Sequence, residues 1–336
     1  MLSLPEVDSH LGASRLSRSA LLALKLVVTA LCFWYLAWKI DPAQFLLVIN
    51  TLNLWWTGLA VLTIMLQIPL VGLRWCKIID ALRADRAPVR HGPIIAITMI
   101  ASFLLQVVPT LAVDTVRVVM LRRLGPGWRE GLAGVIIDRM VSIVVLVAIG
   151  FVTLLLPSAL TVNLEYRVPA IEIFGAVLVV ALGGIFSAPY LASMLDQWPA
   201  TRWVGKLSRA TYYVLLGSGA GAAIAIIAVS GHLLTIVTIW ILGHALGLEI
   251  SVVDASILFT VMVAVMLVPV SISGWGIREL AVITLLAERG VPAEQSLLLS
   301  LSFGLVLVVA ALPGALVWAL WSPNRSQRVA LTGESS

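Results

Sequence analysis

Six stretches of this 336-residue chain are apolar over the length of a membrane-crossing helix: approximately 21–38, 54–73, 132–156, 170–189, 229–247 and 295–320. A bilayer core of about 30 Å needs roughly 20 residues at 1.5 Å each. Hydrocarbon offers no partner to peptide N–H and C=O groups, so a crossing segment must satisfy them internally, as a helix does. Composition agrees: 60% of residues are hydrophobic, 12% are charged, and mean hydropathy is +1.05. That leaves too little polar surface to cover a water-facing globule. The expected fold is an all-α polytopic membrane protein.

The net charge of +5 and pI near 9.6 do not point to nucleic acid. Cytoplasmic loops of membrane proteins concentrate Lys and Arg, and no basic soluble module is present. Tryptophans gather at the ends of the apolar runs (Trp34, Trp38, Trp55, Trp56, Trp75, Trp128, Trp318 and Trp321), as an interfacial aromatic belt requires. Cys32 and Cys76 lie in or beside apolar runs and fit neither a disulfide framework nor a zinc site. Arg15, Arg18 and Lys25 precede a first run too long for a signal-peptide core and without a small-residue cleavage site, so it reads as a retained span. Residues 1–19 then form a cytoplasmic N-terminal segment, 20–321 one transmembrane domain, and 322–336 a polar, disordered cytoplasmic tail. The stretch 202–216 reads as an amphipathic helix on the membrane surface.

Two further apolar segments do not fit as simple crossings. Residues 93–111 are followed, after Ala112-Val113, by DTVRVVMLRRL, and 254–270 by SISGWGIRELAVITLLAERG. Each has an apolar arm ending in Val-Pro, a short break, and a second arm that reaches only about 16–20 Å as a helix, too short to cross. Lys/Arg placement decides between crossing and returning. If both segments are re-entrant hairpins, the cytoplasmic side holds sixteen cations: Arg15, Arg18, Lys25, Arg74, Lys77, Arg83, Arg86, Arg90, Arg122, Arg123, Arg129, Arg202, Lys206, Arg209, Arg325 and Arg328. The outer side holds Lys39, Arg167 and Arg289, and Arg117, Arg139 and Arg278 stay at membrane depth. A full crossing by 93–111 would weaken that bias. The organisation expected is about six full spans plus two re-entrant hairpins, with both termini cytoplasmic in the inner membrane.

The two hairpins resemble each other. Val108-Pro109 followed by Asp114 and Arg117 echoes Val268-Pro269 followed by Gly274 and Arg278, at an offset of about 160 residues. A Gly/Pro turn follows each (Gly125-Pro126; Gly290-Val291-Pro292), then a long apolar run. With the orientation above, the halves (approximately 20–160 and 165–321) form an inverted-topology repeat, a recurrent transporter architecture. The alternative is two unrelated Val-Pro breaks in ordinary helices.

Arg117, Arg139 and Arg278, with Asp114, Asp138 and Glu279, are the candidate binding residues. An Arg at the centre of a membrane helix costs about 2.5–3.5 kcal/mol on insertion scales, so each needs a partner. Its planar fork matches phosphate oxygens two at a time. Asp114 could cap the first short arm, and Gly274 and Gly276 would let the second tip bend close to a headgroup. The plainer reading is charges pairing among themselves: Asp114 and Arg117 share a helical face, whereas adjacent Asp138 and Arg139 each need a partner elsewhere. His232 and His244 have no accompanying ligand motif, so no metal is expected, and no G-x-S-x-G, P-loop or Rossmann run suggests catalysis or a cofactor. Met262 and Met266 fit core packing, and the run 217–228 (GSGAGAAIAIIA) fits close helix approach.

These residues carry a resemblance. PVSISGWGIRE (Pro269 to Glu279) is similar to the P-x-S-x-G-G-x-G-x-R-E region of the transmembrane domain of lysylphosphatidylglycerol synthases and the stand-alone flippase-like proteins grouped with it. Asp114-x-x-Arg117 resembles that family's G-D-x-x-R, and Asp138-Arg139 its Glu-Arg pair. Val113 stands where the family has Gly, Trp275 interrupts the glycine pair, and Ser302-Phe303 falls where many members have Tyr-Arg. The resemblance implies translocation of an anionic or glycosylated lipid, with membrane lipids as partners and a homodimer or separately encoded synthase compatible with it. It leaves open a membrane-embedded enzyme or accessory subunit acting on a phospholipid or polyprenyl-phosphate headgroup, in which the carboxylates would be acid/base groups. The synthases' soluble aminoacyl-transfer domain has no counterpart here, so lysyl transfer is not expected of this chain alone. In a cysteine-free background, single cysteines introduced as R90C and R123C are expected to label from the same face of the membrane; labelling from opposite faces would remove the first hairpin.

Overall fold

The computed structural model describes residues 43, 50, 53–83, 88–106, 108, 110–156, 164–267 and 276–320. The expected first span, both terminal segments, Cys32, Pro109, Pro269, Gly274 and Trp275 lie outside the described residues. Every regular element described is a helix, and five are long and apolar enough to cross a membrane. The spans are α1 (Leu54–Leu82), α4 (Trp128–Leu155), α5 (Leu164–Phe186), α8 (Gly221–Ala245) and α11 (Ala293–Leu320). Between them lie α2 (His91–Leu104), α3 (Thr110–Arg122), α6 (Ala188–Leu195), α7 (Arg202–Tyr212), α9 (Val252–Leu267) and α10 (Ile277–Ala287). The chain is a multi-pass α-helical membrane protein.

The packing is organised by α1 against α8. The α1 N-terminus is capped by the Asn53 side chain, which accepts from the backbone of Trp55 at 3.0 Å and Trp56 at 3.4 Å. The Asn53 backbone N–H donates to the Ala245 carbonyl at 2.9 Å, where α8 ends. Further along, Thr63 and Thr238 share a hydroxyl hydrogen bond of 2.7 Å, and Ile78 joins Ile224 and Ala228 in one buried cluster. Numbers rise along one helix as they fall along the other, so α1 and α8 are antiparallel over their length. Within the Gly/Ala run, Ala228 and Ile224 are buried in this cluster. Gly221 is required for a different reason: a Cβ there would collide with the Leu215 carbonyl.

The α1 helix runs past the expected residue 73 because its last turns, with Trp75, Cys76, Ile78 and Ile79, are buried against neighbouring helices. Residues of α2 pack there antiparallel: a Cβ on Gly72 would stand 3.0 Å from the Ile95 Cα. Gly134 of α4 faces Trp75 and Ile79, and Gly131 faces Val118 and Leu121 of α3. The chain therefore leaves α1 and enters α4 at one end of the bundle, and α2 and α3 run in from that end and back. At 14 and 13 residues they are about 20 Å long, shorter than a span. At the other end α9 packs antiparallel on α8, Ile250 filling the space beside Gly243, and α10 returns along α9, where Asp254 meets Arg289.

The stretch 202–216 is helical with one exposed and one covered face over α7, as expected, and departs from expectation after Tyr212. The helix α7 passes into a π-helical turn, Tyr213–Gly217, whose Val214 is fully buried beside Ile78, Ile137 and Ile224. A Cβ on Gly205 would stand 3.0 Å from the Ala192 carbonyl, so α6 covers one face of α7 while Trp203, Lys206 and Arg209 remain exposed. A hydrogen bond of 2.6 Å from Arg209 holds the Asp196 carboxyl below the usual carboxylate range. Tight helix contact is tested at Gly314 of α11, where an added Cβ would strike the Met99 carbonyl of α2. Gly314→Ala should cost about 1–3 kcal/mol and lower the Tm in a thermal-shift assay, whereas Gly183→Ala, at an open position, should stay within about 0.5 kcal/mol.

Candidate functional site

Three arginines and two aspartates from α1, α3 and α4 meet in one cluster. Asp138, on α4, accepts from Arg74 Nε of α1 at 2.8 Å and from both terminal nitrogens of Arg117 on α3, at 3.4 and 3.3 Å. Asp114, one turn before Arg117, accepts from it at 3.4 Å. Asp114 also receives Arg139, whose Nε and one terminal nitrogen reach its two oxygens at 3.2 and 3.0 Å. Such a two-point contact fixes a guanidinium in orientation as well as distance. Arg74, Arg117 and Asp138 are all at least 95% buried. Arg139 is the edge of the cluster, its side chain 37% exposed.

The Arg117 guanidinium carbon lies 4.3 Å from the centre of the Trp75 ring, near enough for a cation–π attraction. The cluster still contains two buried N–H groups, Arg117 Nε and Trp75 Nε1, with no hydrogen-bond partner among the described residues. Both groups can only donate.

Arg278 and Glu279 sit elsewhere, at the start of α10. Arg278 donates to Glu279 Oε1 from two nitrogens, at 3.1 and 2.6 Å, and to the hydroxyl and carbonyl of Ser300 on α11, at 3.1 and 3.2 Å. The Ser300 hydroxyl also donates to Glu279 Oε1 at 3.1 Å. The second Glu279 oxygen accepts the Gly276 N–H at 2.6 Å and so caps the helix, after a residue with φ of 86° that favours glycine. This second group is charge-balanced, whereas the first carries one positive charge more than its carboxylates neutralise.

The structure thus unites Arg117, Arg139, Asp114 and Asp138 and holds Arg278, Glu279 and Gly276 in a separate group. No hydrogen bond or ion pair joins the two groups among the described residues. Asp114 does not cap the first short arm, because α3 begins at Thr110 and places it inside the helix. Arg74, which the charge count places on the cytoplasmic side and not among the cations at membrane depth, is buried in α1. The signal for it was available: Asp138 needs a partner off its own helix, and Arg74 sits beside a tryptophan at the end of an apolar run. Arg167, expected on the outer side, is 8% exposed and donates to the carbonyls of Leu154 and Leu156, satisfying the end of α4. His232 bonds the Ser142 carbonyl at 3.1 Å and stacks at 5.3 Å on Phe259, both inside the helix packing.

The sequence matches the family described as "Lysylphosphatidylglycerol synthase TM region" over residues 22–314. The chain belongs to this family. No curated protein and no solved structure matches it. The family joins a multi-pass membrane protein to lipid handling, and the buried charges lie within its matched region. Asp138→Asn should destabilise the protein by about 3–5 kcal/mol, because two buried guanidinium groups then lose the charge that compensates them. Chemical denaturation in detergent micelles checks this, with the half-exposed Arg139→Gln expected to cost less.

Proposed function

We propose that the protein is a flippase-like translocase for an anionic or glycosylated lipid of the cytoplasmic membrane, with both termini on the cytoplasmic side. The observation that carries this reading is the excess of one positive charge in the cluster where α3 meets α1 and α4, three guanidinium groups against two carboxylates, with Arg139 at its exposed edge. A membrane protein holds such charge at a cost unless an anion shares the site, and an anionic lipid headgroup is the anion nearest at hand. In this reading α2–α3 and α9–α10 are the two re-entrant hairpins, entering from opposite faces. Their short lengths and their positions at opposite ends of the antiparallel α1–α8 pair support it.

A further correspondence supports an inverted repeat. Arg117 reaches Asp138, 21 residues later on the next span, and Arg278 reaches Ser300, 22 residues later on the next span. The same helix–break–helix–span unit therefore places a guanidinium against its following helix twice. Of the two, the α3 group would bind the headgroup and the α10 group would hold its hairpin rigid, since the latter is already neutral. Translocation rather than headgroup chemistry is favoured by the setting of the carboxylates: Asp114, Asp138 and Glu279 each already accept hydrogen bonds from guanidinium groups, so none is presented free to a reacting headgroup.

Proteoliposomes containing fluorescent phosphatidylglycerol provide the test. The fraction of label reached by an external quencher should rise faster than in protein-free vesicles, and Arg139→Gln should slow it by about tenfold, the worth of one charge-assisted contact. Rates equal to empty vesicles across several anionic lipids would overturn the proposal.

A further inference from the structure

We infer that the α1–α3–α4 cluster takes a single monovalent oxyanion, the phosphodiester of a lipid headgroup, and that Trp75 Nε1–H and Arg117 Nε–H are donors to it. The inference deepens the lipid-handling reading and rests on it. Charge and hydrogen bonding point to it separately. Arg74, Arg117 and Arg139 carry three positive charges against the two negative charges of Asp114 and Asp138, and arginine does not shed its proton. Titration therefore cannot relieve the excess. Other described acids near this end are engaged elsewhere: Asp80 accepts the Val89 N–H at 2.8 Å, and Glu130 accepts the Gly127 N–H. One negative charge neutralises the cluster, whereas two would leave an excess of the opposite sign at the same burial cost.

The hydrogen-bond count leads to the same ligand. An indole N–H and a guanidinium Nε–H, on residues 0% and 4% exposed and stacked on one another, both lack acceptors among the described residues. Groups of this kind are costly to leave unpaired and are seldom orphaned without a role. An oxyanion supplies acceptor oxygens and the missing charge together, which water does not. Arg139 sets the route: it is the exposed member and bonds Asp114, itself 13% exposed, so its displacement opens the cluster from its edge. The α10 group makes the contrast, because Glu279 already balances Arg278.

The test uses native mass spectrometry of the full chain released from micelles. The probes are phosphatidylglycerol, with one net negative charge; phosphatidylcholine, with the same phosphodiester and no net charge; phosphatidic acid, which can carry two; and glycerophosphoglycerol, the first headgroup without acyl chains. Phosphatidylglycerol should be retained about tenfold over phosphatidylcholine and over phosphatidic acid. Trp75→Phe, which keeps the aromatic packing and removes the N–H, should lower that retention about tenfold, the loss of one hydrogen bond to a charged group. Arg139→Gln, at the exposed edge where folding is least at risk, should abolish the preference for the anion. Equal phosphatidylglycerol retention by wild type, W75F and R139Q would overturn this site while leaving lipid handling intact. Retention of glycerophosphoglycerol as strong as that of the lipid would assign the site to a soluble oxyanion and overturn the lipid headgroup. If no lipid is retained by any form, the lipid-handling reading itself fails.

Discussion

The bond between Asp138 and two guanidinium groups is the constraint around which this end of the molecule is built. Removing an ion from water into a low-dielectric interior is expensive, and close pairing with correct geometry returns most of that cost. Asp138 can meet Arg74 and Arg117 together only if α1, α3 and α4 converge at one depth. That convergence fixes the antiparallel register of α1 with α4 and of α3 with α4. Small residues make it possible: Gly131 and Gly134 lie on the α4 face that receives Val118, Leu121, Trp75 and Ile79. A side chain at either position would have to displace Val118 or Ile79 from that contact. Packing and electrostatics therefore specify the same geometry.

The α10 group solves a similar problem with different chemistry. Arg278 is as buried as Arg117, yet its carboxylate comes from the adjacent residue and its second partner is the neutral Ser300. Glu279 serves two purposes, balancing Arg278 through one oxygen and capping α10 through the other. The first group has no such economy: its carboxylates accept from three arginines and still leave donors without acceptors among the described residues. A complete polar network rigidifies a fold, whereas an incomplete one leaves buried donors at a cost. This difference is why the proposed headgroup site is assigned to the α3 end.

The residues also show which features local reasoning can reach. The unpaired demand of Asp138 and Arg139 is visible because neighbours in a helix point about 100° apart, so neither can satisfy the other. The closeness of Asp114 to Arg117 is equally a matter of helical spacing. Arg74 and Arg167 escaped because charge counting assigns a cation near a span end to one side of the membrane. Both are drawn into the interior by partners distant in sequence, one a carboxylate and the other the open carbonyls of a helix end. The interruption of 202–216 by a π-helical turn has a similar origin, since Val214 is claimed by residues of α1, α4 and α8.

The sequence by itself determined the solvent, the helical class and the family, because these follow from apolar lengths, from the need to satisfy every peptide group in hydrocarbon, and from short motifs such as the one ending in Arg278-Glu279. It also marked the arginines that need partners. Only the tertiary structure decided which carboxylate each arginine obtains, that Arg278 stands apart from Arg117 and Arg139, and that Trp75 lies against Arg117. Those outcomes depend on the relative depth and rotation of helices far apart in the chain. Such quantities are set by glycine contacts and buried charge across helices, and no local period records them.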